Sequence, residues 1–502
     1  MSYVLGIDLG TSSLKGLLMD KTGRVICEKS EEYSISTPKS GFSEQNPEHW
    51  ILACQKVLIA LADEVADFNE SLEGISFSGQ MHTLVVLDND KNPACPAILW
   101  NDVRTTKQCE KVMEQMGYRL LEITKNVALE GFTLPKILWL QENTPETWRR
   151  AAKIMLPKDY LSFWFTGNIY SEYSDAAGTL LLDIERREWS QEIAEAFNIS
   201  MNLLPELIPS TEKAGVVRKE IKEKFCFSND VQVFLGGADN ACAALGAGLI
   251  SEDTALVSIG TSGVFSEYEP SIKDYKGKLH FFNHVIPDSY YSMGVTLSAG
   301  NSLKWFKKMS GTELSFTGLL QSVSKIEPGS EGLLFTPYIT GERTPYFDSR
   351  IRGSFIGIDA HHEHSHFARS VMEGITFSLK DSQEIIENEK GMSFARLISV
   401  GGGAKNADWL QMQADIFNAE IICLDVEQGP ALGACILATV GCGWFPDIVS
   451  ATNTFVRYSE NVYLPERKNV EKYAQIYRIW RKIYHSTKEL CYEIDQLNSL
   501  GD

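Results

Sequence analysis

One local pattern occurs twice in this chain, and it limits the possible folds more than any other feature. The residues read IDLGTSSL from Ile7 and, about half a chain later, VSIGTSGV from Val257. Each copy is apolar, variable, apolar, then Gly-Thr-Ser, a variable residue and an apolar one. Short apolar runs on both sides of a glycine-containing turn predict a strand, a tight turn and a second strand. A second echo follows in the same order: ALGAGLI from Ala244 and ALGACIL from Ala431, each after a strand-like run and inside a helical stretch of small residues. Two echoes in one order point to a duplicated unit rather than to chance matches of small residues.

The turns have a definite chemistry. Gly10, Thr11 and Ser12 in the first copy, and Gly260, Thr261 and Ser262 in the second, combine close backbone approach, hydroxyls and free N–H groups, the makings of an anion cradle. Two cradles facing across a cleft would grip a polyphosphate from both sides. The copies differ in one telling place, where Asp8 is matched by Ser258, so a carboxylate stands on one wall only.

Composition limits what the cradles serve. With 502 residues and 44% apolar content the chain can bury a large core, as two domains or more. A formal charge of -19 disfavours nucleic acid or an anionic membrane as partner, so an anion must be met by local devices. Ten scattered cysteines without a CxxC pair, and no leader before Asp8, predict a reduced, cytoplasmic protein. The longest uncharged stretch, from Gly429, is broken by glycines and reads as a core helix with its loop.

Along the chain, the opening strands and VICEKSEEYSI predict an antiparallel meander, and HWILACQKVLIALADEV a helix with one apolar face. VQVFLGGADNACAALGAG predicts a strand, a glycine turn, and then Asp239 and Asn240 at the head of a helix. Gly236 and Gly237 are expected to clear the approach to Asp239, leaving it open as a general base. In ARLISVGGGAKNADW, Gly401 to Gly403 form a bare turn against which a nucleotide base or ribose can lie. Gln80, Met81 and His82 follow a strand in SGQMH, beside the proposed cleft, as candidate substrate contacts.

Longer segments carry a family likeness. GFTLPKILWLQEN from Gly131 and GSFIGIDAHHEHSHFARSVME from Gly353 fit two long signatures, while SGQMH, AILWNDVR, LPKDYL, SDAAGT, GGADNA and GERTP follow in order from Ser78 to Pro345. Through them the whole chain resembles the FGGY carbohydrate kinases of the actin, Hsp70 and sugar-kinase superfamily, and most of all their bacterial xylulokinase branch. The resemblance implies an α/β chain of two RNase H-like domains around a deep cleft. Residues 1–246 would bind sugar and carry the base, and residues 247–502 would bind the nucleotide. It further implies ATP and Mg²⁺ as cofactors, with Asp8 by the metal and the transferring phosphoryl group and Asp239 as catalytic base. Met81, His82, Asp239 and Asn240 would contact the sugar. Thr11, Ser12, Gly260, Thr261 and Ser262 would line the phosphates, and Gly402, Gly403 and Asn406 the adenosine.

Thr83 and Ala238 stand where glycine is frequent in that family, and both are expected to touch the sugar pocket and bear on the choice of sugar. The expected reaction is phosphorylation of a ketopentose, D-xylulose to D-xylulose 5-phosphate. The alternatives are a kinase for ribulose, gluconate or glycerol, or an ATP-driven clamp of the Hsp70 or actin kind. A small polyol would stimulate ATP turnover in a kinase, and a protein partner in a clamp. Both a monomer and a homodimer fit the sequence, and Arg343 and Lys158 are left open between a functional and a structural role.

Overall fold

The computed structural model describes residues 2–313 and 315–499. The chain begins with the expected meander, strands β1 (Tyr3–Leu9), β2 (Ser13–Asp20) and β3 (Val25–Glu32), all antiparallel. Helix α1 (Pro47–Glu64) starts at Asn46, whose side chain accepts from the Glu48 amide, with proline in its first turn. This crossover returns the chain as β4 (Leu72–Gly79), parallel to β1. Helices α2 (Thr133–Asn143) and α3 (Pro157–Thr166) precede β5 (Lys213–Val216) and β6 (Gln232–Phe234), giving the order β5-β6-β4-β1-β2-β3.

Helix α4 (Asp239–Ala247) leads into the second sheet, with strands β7 (Thr254–Ile259), β8 (Gly263–Glu269), β9 (His280–Asn283) and β10 (Tyr290–Thr296). Then come helix α5 (His364–Lys390), β11 (Arg396–Gly401), helix α6 (Ala407–Phe417), β12 (Glu420–Leu424), helix α7 (Pro430–Gly441), β13 (Tyr458–Tyr463) and helix α8 (Arg467–Ser499). The sheet order is β9-β10-β8-β7-β11-β12-β13. With the edge strand β9 set aside, both sheets are built alike: three antiparallel strands, two more parallel to the first, and an antiparallel edge. The duplicated turns join β1 to β2 and β7 to β8, so the repeat read in the sequence is a repeat of topology.

The first sheet is covered on both faces. Leu5, Ile7 and Leu9 pack with Trp50, Val57, Leu58 and Leu61 of α1. By the strand pleat, Val4, Gly6 and Asp8 share the opposite face. Helix α7, from the other half of the chain, lies there, so close that a Cβ on Gly6 would sit 2.3 Å from the Ala431 carbonyl oxygen. Conversely Ala244 and Ala247 of α4 share an apolar cluster with Leu256, Ile398 and Ile422 of the second sheet.

Helices α4 and α7 are the second echo, and they pack on each other. A Cβ on Gly433 would come 2.1 Å from Cys242 O, and one on Gly246 would come 2.7 Å from Gly429 O. Each glycine is required by a backbone on the opposing helix. Among the described residues no helix is long and apolar enough to cross a membrane, and the ten cysteines are free thiols.

This contact predicts a stability effect. Gly433→Ala should cost about 1–3 kcal/mol through overpacking against a backbone that cannot rotate away. Gly402→Ala, at an exposed turn where the nearest atom to the new Cβ is 3.4 Å away, should leave the melting temperature nearly unchanged. Thermal unfolding of the two variants checks both outcomes.

Candidate functional site

Both turns expose donors. In the first, the Gly10 amide closes the turn on Ser13 O (3.0 Å), and in the second the Gly260 amide closes on Ser262 O (3.0 Å). The amides of Thr11, Ser12, Thr261 and Ser262 find no acceptor among the described residues. Each turn is braced from behind. Gln45 Nε2 donates to Thr11 O (2.6 Å), and the amides of Gly300 and Asn301 donate to Gly260 O (2.8 Å) and Thr261 O (3.1 Å).

A cavity of about 230 Å³ lies between the halves. That is below the roughly 300–1,000 Å³ of sites for drug-sized ligands, and it suits a small polar molecule. Met81, His82, Asp239 and Asn240 line it together with Ser262 of the second turn. Trp100 lines it too, and its Nε1 donates to Thr11 Oγ1 (2.8 Å), which links the cavity wall to the first turn. Leu129, Phe132, Val264, Met293 and Val295 supply apolar wall.

Asp239 is the first residue of α4. Its Oδ1 accepts from the Asn240 amide (2.7 Å) and from Asn240 Nδ2 (2.9 Å). Burial, then the nearby Asp8 charge, push its carboxyl up to about 7 against those two hydrogen bonds. Asp8 is itself raised by burial, opposed by the Ser78 hydroxyl and Lys15. Its Oδ1 is buried without a hydrogen-bond partner among the described residues. Two desolvated carboxylates, the charge of Asp8 raising Asp239, make a place for a cation. Among the described residues no group of three or more His, Cys, Asp and Glu forms a metal cage. A Mg²⁺ shared with phosphates needs only one or two carboxylates, and Asp8 fits that part.

His82 is held by two of the motifs. Its backbone is left-handed (φ 65°), a conformation costly for a residue with a Cβ. Thr133 Oγ1 and Lys136 Nζ, from GFTLPKILW, each donate to its carbonyl at 3.0 Å. Gly178 O, from SDAAGT, lies 2.6 Å from its Nδ1, and the Phe132 ring 4.6 Å from its own. A carbonyl partner places the proton on Nδ1, and burial pushes the imidazole down to about 3, so Nε2 is a neutral acceptor.

Several expectations need correcting. Gln80 does not line the cavity: it is buried, with Nε2 donating to Gln45 Oε1 (3.3 Å) and Oε1 accepting from Thr83 Oγ1 (3.2 Å). Gln80 and Met81 both lie just past the end of β4, where Gln80 meets Gln45 and Thr83 while Met81 meets the cavity. Thr83 and Ala238 also stay out of the cavity. Thr83 Oγ1 ties Gln80 to the Trp100 amide (3.1 Å), and the Ala238 amide donates to Ser174 Oγ (3.0 Å). Gly236 and Gly237 are demanded by packing rather than by access to Asp239. Added Cβ atoms would meet Phe77 O at 1.8 Å and Val285 Cγ1 at 2.2 Å.

On the nucleotide side, Gly401 pairs with Ile259, which sets the glycine turn beside the second cradle. Only Gly402 of the three is exposed. Gly403 is buried, and a Cβ there would meet Ile259 Cβ at 2.7 Å. Asn406 caps α6, accepting from the Trp409 amide (2.8 Å).

The structure adds two cavity residues that sequence reasoning did not single out as contacts, Arg343 and His280. Arg343 is set by its neighbour Glu342, which accepts from the amides of Arg343 (2.7 Å) and Leu297 (3.0 Å). The Arg343 guanidinium has no hydrogen-bond or ion-pair partner among the described residues. GERTP was the available signal for it. His280 carried no local signal.

Comparison with known proteins agrees with this geometry. Residues 3–246 match the N-terminal domain of the FGGY family of carbohydrate kinases, and residues 255–442 its C-terminal domain. The chain is 64% identical over 501 residues to a xylulose kinase of Lactococcus lactis, covering all of both chains. It is 50% identical to a xylulose kinase of Bacillus subtilis, covering 98% of each. A solved structure described as a "xyloylose kinase" from Brucella ovis superposes with a TM-score of 0.91 at 33% identity, over 97% of this chain and 99% of that one.

Lys158 lies behind the turn that precedes Asp239, fully buried and away from the cavity. Its Nζ reaches Asp159 at 2.5 Å, and Glu172 and Asp175 at 3.6 Å. Glu172 in turn holds Ser174 Oγ (2.7 Å), the acceptor of the Ala238 amide. Lys158→Met would strand three buried carboxylates around one missing cation. It should cost about 3 kcal/mol or more, read as a fall in the urea midpoint.

Proposed function

The chain belongs to the FGGY family of carbohydrate kinases, and from that premise we propose that it transfers the γ-phosphoryl group of ATP to the 5-hydroxyl of D-xylulose, giving D-xylulose 5-phosphate. The observation that carries this reading is one small cavity bounded jointly by Asp239, the acceptor His82 and Ser262 of a phosphate cradle. The xylulose kinases of Lactococcus lactis and Bacillus subtilis, similar over their whole length, support the choice of sugar.

A sugar hydroxyl is a weak nucleophile at neutral pH. Asp239 accepts its proton as the bond to phosphorus forms, and a carboxyl near 7 suits that task. Asn240 fixes the carboxylate by two hydrogen bonds. Met81 and His82 hold the far part of the sugar, keeping the reacting oxygen in line. The free amides of Thr11, Ser12, Thr261 and Ser262 take the phosphate oxygens, and the glycine turn with Asn406 borders the adenosine. Mg²⁺ held at Asp8 supplies charge compensation on the phosphates. In this reading residues 1–246 carry the sugar side and residues 247–502 most of the nucleotide side. Closure of the two halves excludes water, which competes with the sugar as acceptor. Kinases of ribulose, gluconate or glycerol share this chemistry, and a coupled ATPase assay across pentuloses, polyols and aldonates separates them.

Asp239→Asn should bind sugar with modest loss and lose roughly 10²-fold or more in turnover. The base works only when ionised, so wild-type kcat/KM should rise with pH along an acid limb whose midpoint is no higher than about 7. Steady-state kinetics across pH should find that limb absent from the variant. Near-normal turnover in Asp239→Asn would remove the base from this residue.

His82→Ala should raise KM for the preferred ketose and also lower kcat, since a loosely held sugar reaches the in-line geometry less often. Unaltered kinetics with D-xylulose would take His82 out of the sugar site.

A further inference from the structure

His280 enters the cavity from β9, in the second half of the chain, and shares the Phe132 and Phe282 rings with His82. It is 4% exposed, and its Nε2 is a buried nitrogen without a hydrogen-bond partner among the described residues. A native fold rarely leaves a buried polar atom unpaired unless a ligand or water completes it. The other ring nitrogen is engaged: Nδ1 lies 3.2 Å from Asn126 Oδ1.

The Asn126 side chain is fixed in turn. Its Nδ2 donates to Thr124 O (2.8 Å) and to Phe281 O (2.7 Å), which leaves Oδ1 as the atom facing His280 and the Phe281 amide. His280 Nδ1 must then carry the proton, and Nε2 offers a lone pair to the cavity. Burial, then the charge of Arg343, hold the imidazole neutral. The Phe282 ring stacks on it at 5.8 Å and the Phe132 ring lies at 5.7 Å, so the ring plane is set as firmly as the tautomer.

We propose that His280 is a specificity-determining residue, whose Nε2 accepts a hydrogen bond from a sugar hydroxyl other than the one Asp239 deprotonates, with Asn126 as its positioning residue. The inference rests on the sugar-kinase reading above and deepens it. With His82 it gives the cavity two neighbouring acceptor-only imidazoles, one from each half of the chain, so a polyol with free hydroxyls is favoured. A ligand that presents only an acceptor at the His280 position meets a lone pair with a lone pair and is disfavoured.

The test compares kcat/KM for D-xylulose and its 1-, 3- and 4-deoxy analogues in the wild type and in His280→Phe, His280→Asn and His280→Gln. Phe keeps the stacked ring. Asn can keep the Asn126 contact but withdraws the cavity acceptor, and Gln can return an acceptor near the Nε2 position. In the wild type one analogue should be worse than D-xylulose by roughly tenfold or more, the scale of leaving a buried polar group unpaired. That one ratio should collapse towards unity in the Phe and Asn variants, survive in part in Gln, and leave the other analogues' ratios unchanged. If Phe does not fold, Asn carries the same test. Variants that slow every sugar alike with all ratios intact would overturn the proposal and make His280 structural. Absence of wild-type activity on D-xylulose would instead overturn the choice of sugar. The deoxy series would then be built on the polyol that is phosphorylated, with the same two outcomes.

Discussion

The contact on which the rest depends has no side chain in it. Where α4 crosses α7, Gly246 faces Gly429 O and Gly433 faces Cys242 O, each too close for a Cβ. Because α7 also lies on Gly6 of β1, and α4 packs on Leu256 and Ile398 of the second sheet, each helix belongs to the core of the other half. Ridges of small residues allow this backbone proximity, and close packing makes the joint unforgiving of one methyl group. Asp239 is the first residue of α4, and Asp8 lies one residue before the end of the strand under α7. The helix pair that joins the halves therefore also sets the two carboxylates near each other.

What was legible in the sequence is what local chemistry writes there. The Gly-Thr-Ser turns, the meander, the amphipathic first helix and the head of α4 at Asp239 each depend on residues within a few positions, and the topological repeat followed from the paired echoes. Position relative to the cavity was less legible, since it depends on partners far along the chain. Gln80 and Met81 are adjacent, yet one faces Gln45 and the other the cavity. Gly236 and Gly237 look like an access path in one dimension and are packing contacts with Phe77 and Val285 in three. His280 was invisible because its tautomer is set by Asn126, 154 positions away.

The long motifs acquire physical meaning when their contacts are traced. GFTLPKILW contributes Thr133 and Lys136 to one carbonyl, that of His82, and SDAAGT contributes the Gly178 oxygen to the same residue's ring. A left-handed backbone at a residue with a side chain is a strained choice that needs such support. Lys136 is buried, which pulls its ammonium down to about 7, and its donors are spent on backbone carbonyls instead of a carboxylate. LPKDYL and SDAAGT meet again in the Lys158 cluster, which anchors the turn before Asp239 through Ser174. Much of the signature is thus scaffolding for two side chains, the acceptor imidazole of His82 and the base.

Electrostatics then explains how a strongly acidic chain hosts an anionic nucleotide. The overall charge of -19 opposes a polyphosphate at long range, but screening confines that field to about a Debye length, roughly 8–10 Å at physiological salt. Within the cleft the balance is local. Four free amides in the two turns and the unpaired Arg343 guanidinium at the cavity wall favour negative charge, while Asp8 and Asp239 oppose it and the Asp8 charge raises Asp239. On the proposed reading, a cation arriving with the phosphates would resolve this conflict at Asp8 and leave Asp239, whose partner Asn240 stabilises the ionised form, as the base. On that reading the difference between Asp8 and Ser258 would make a near-symmetric pair of phosphate cradles into a site with a direction.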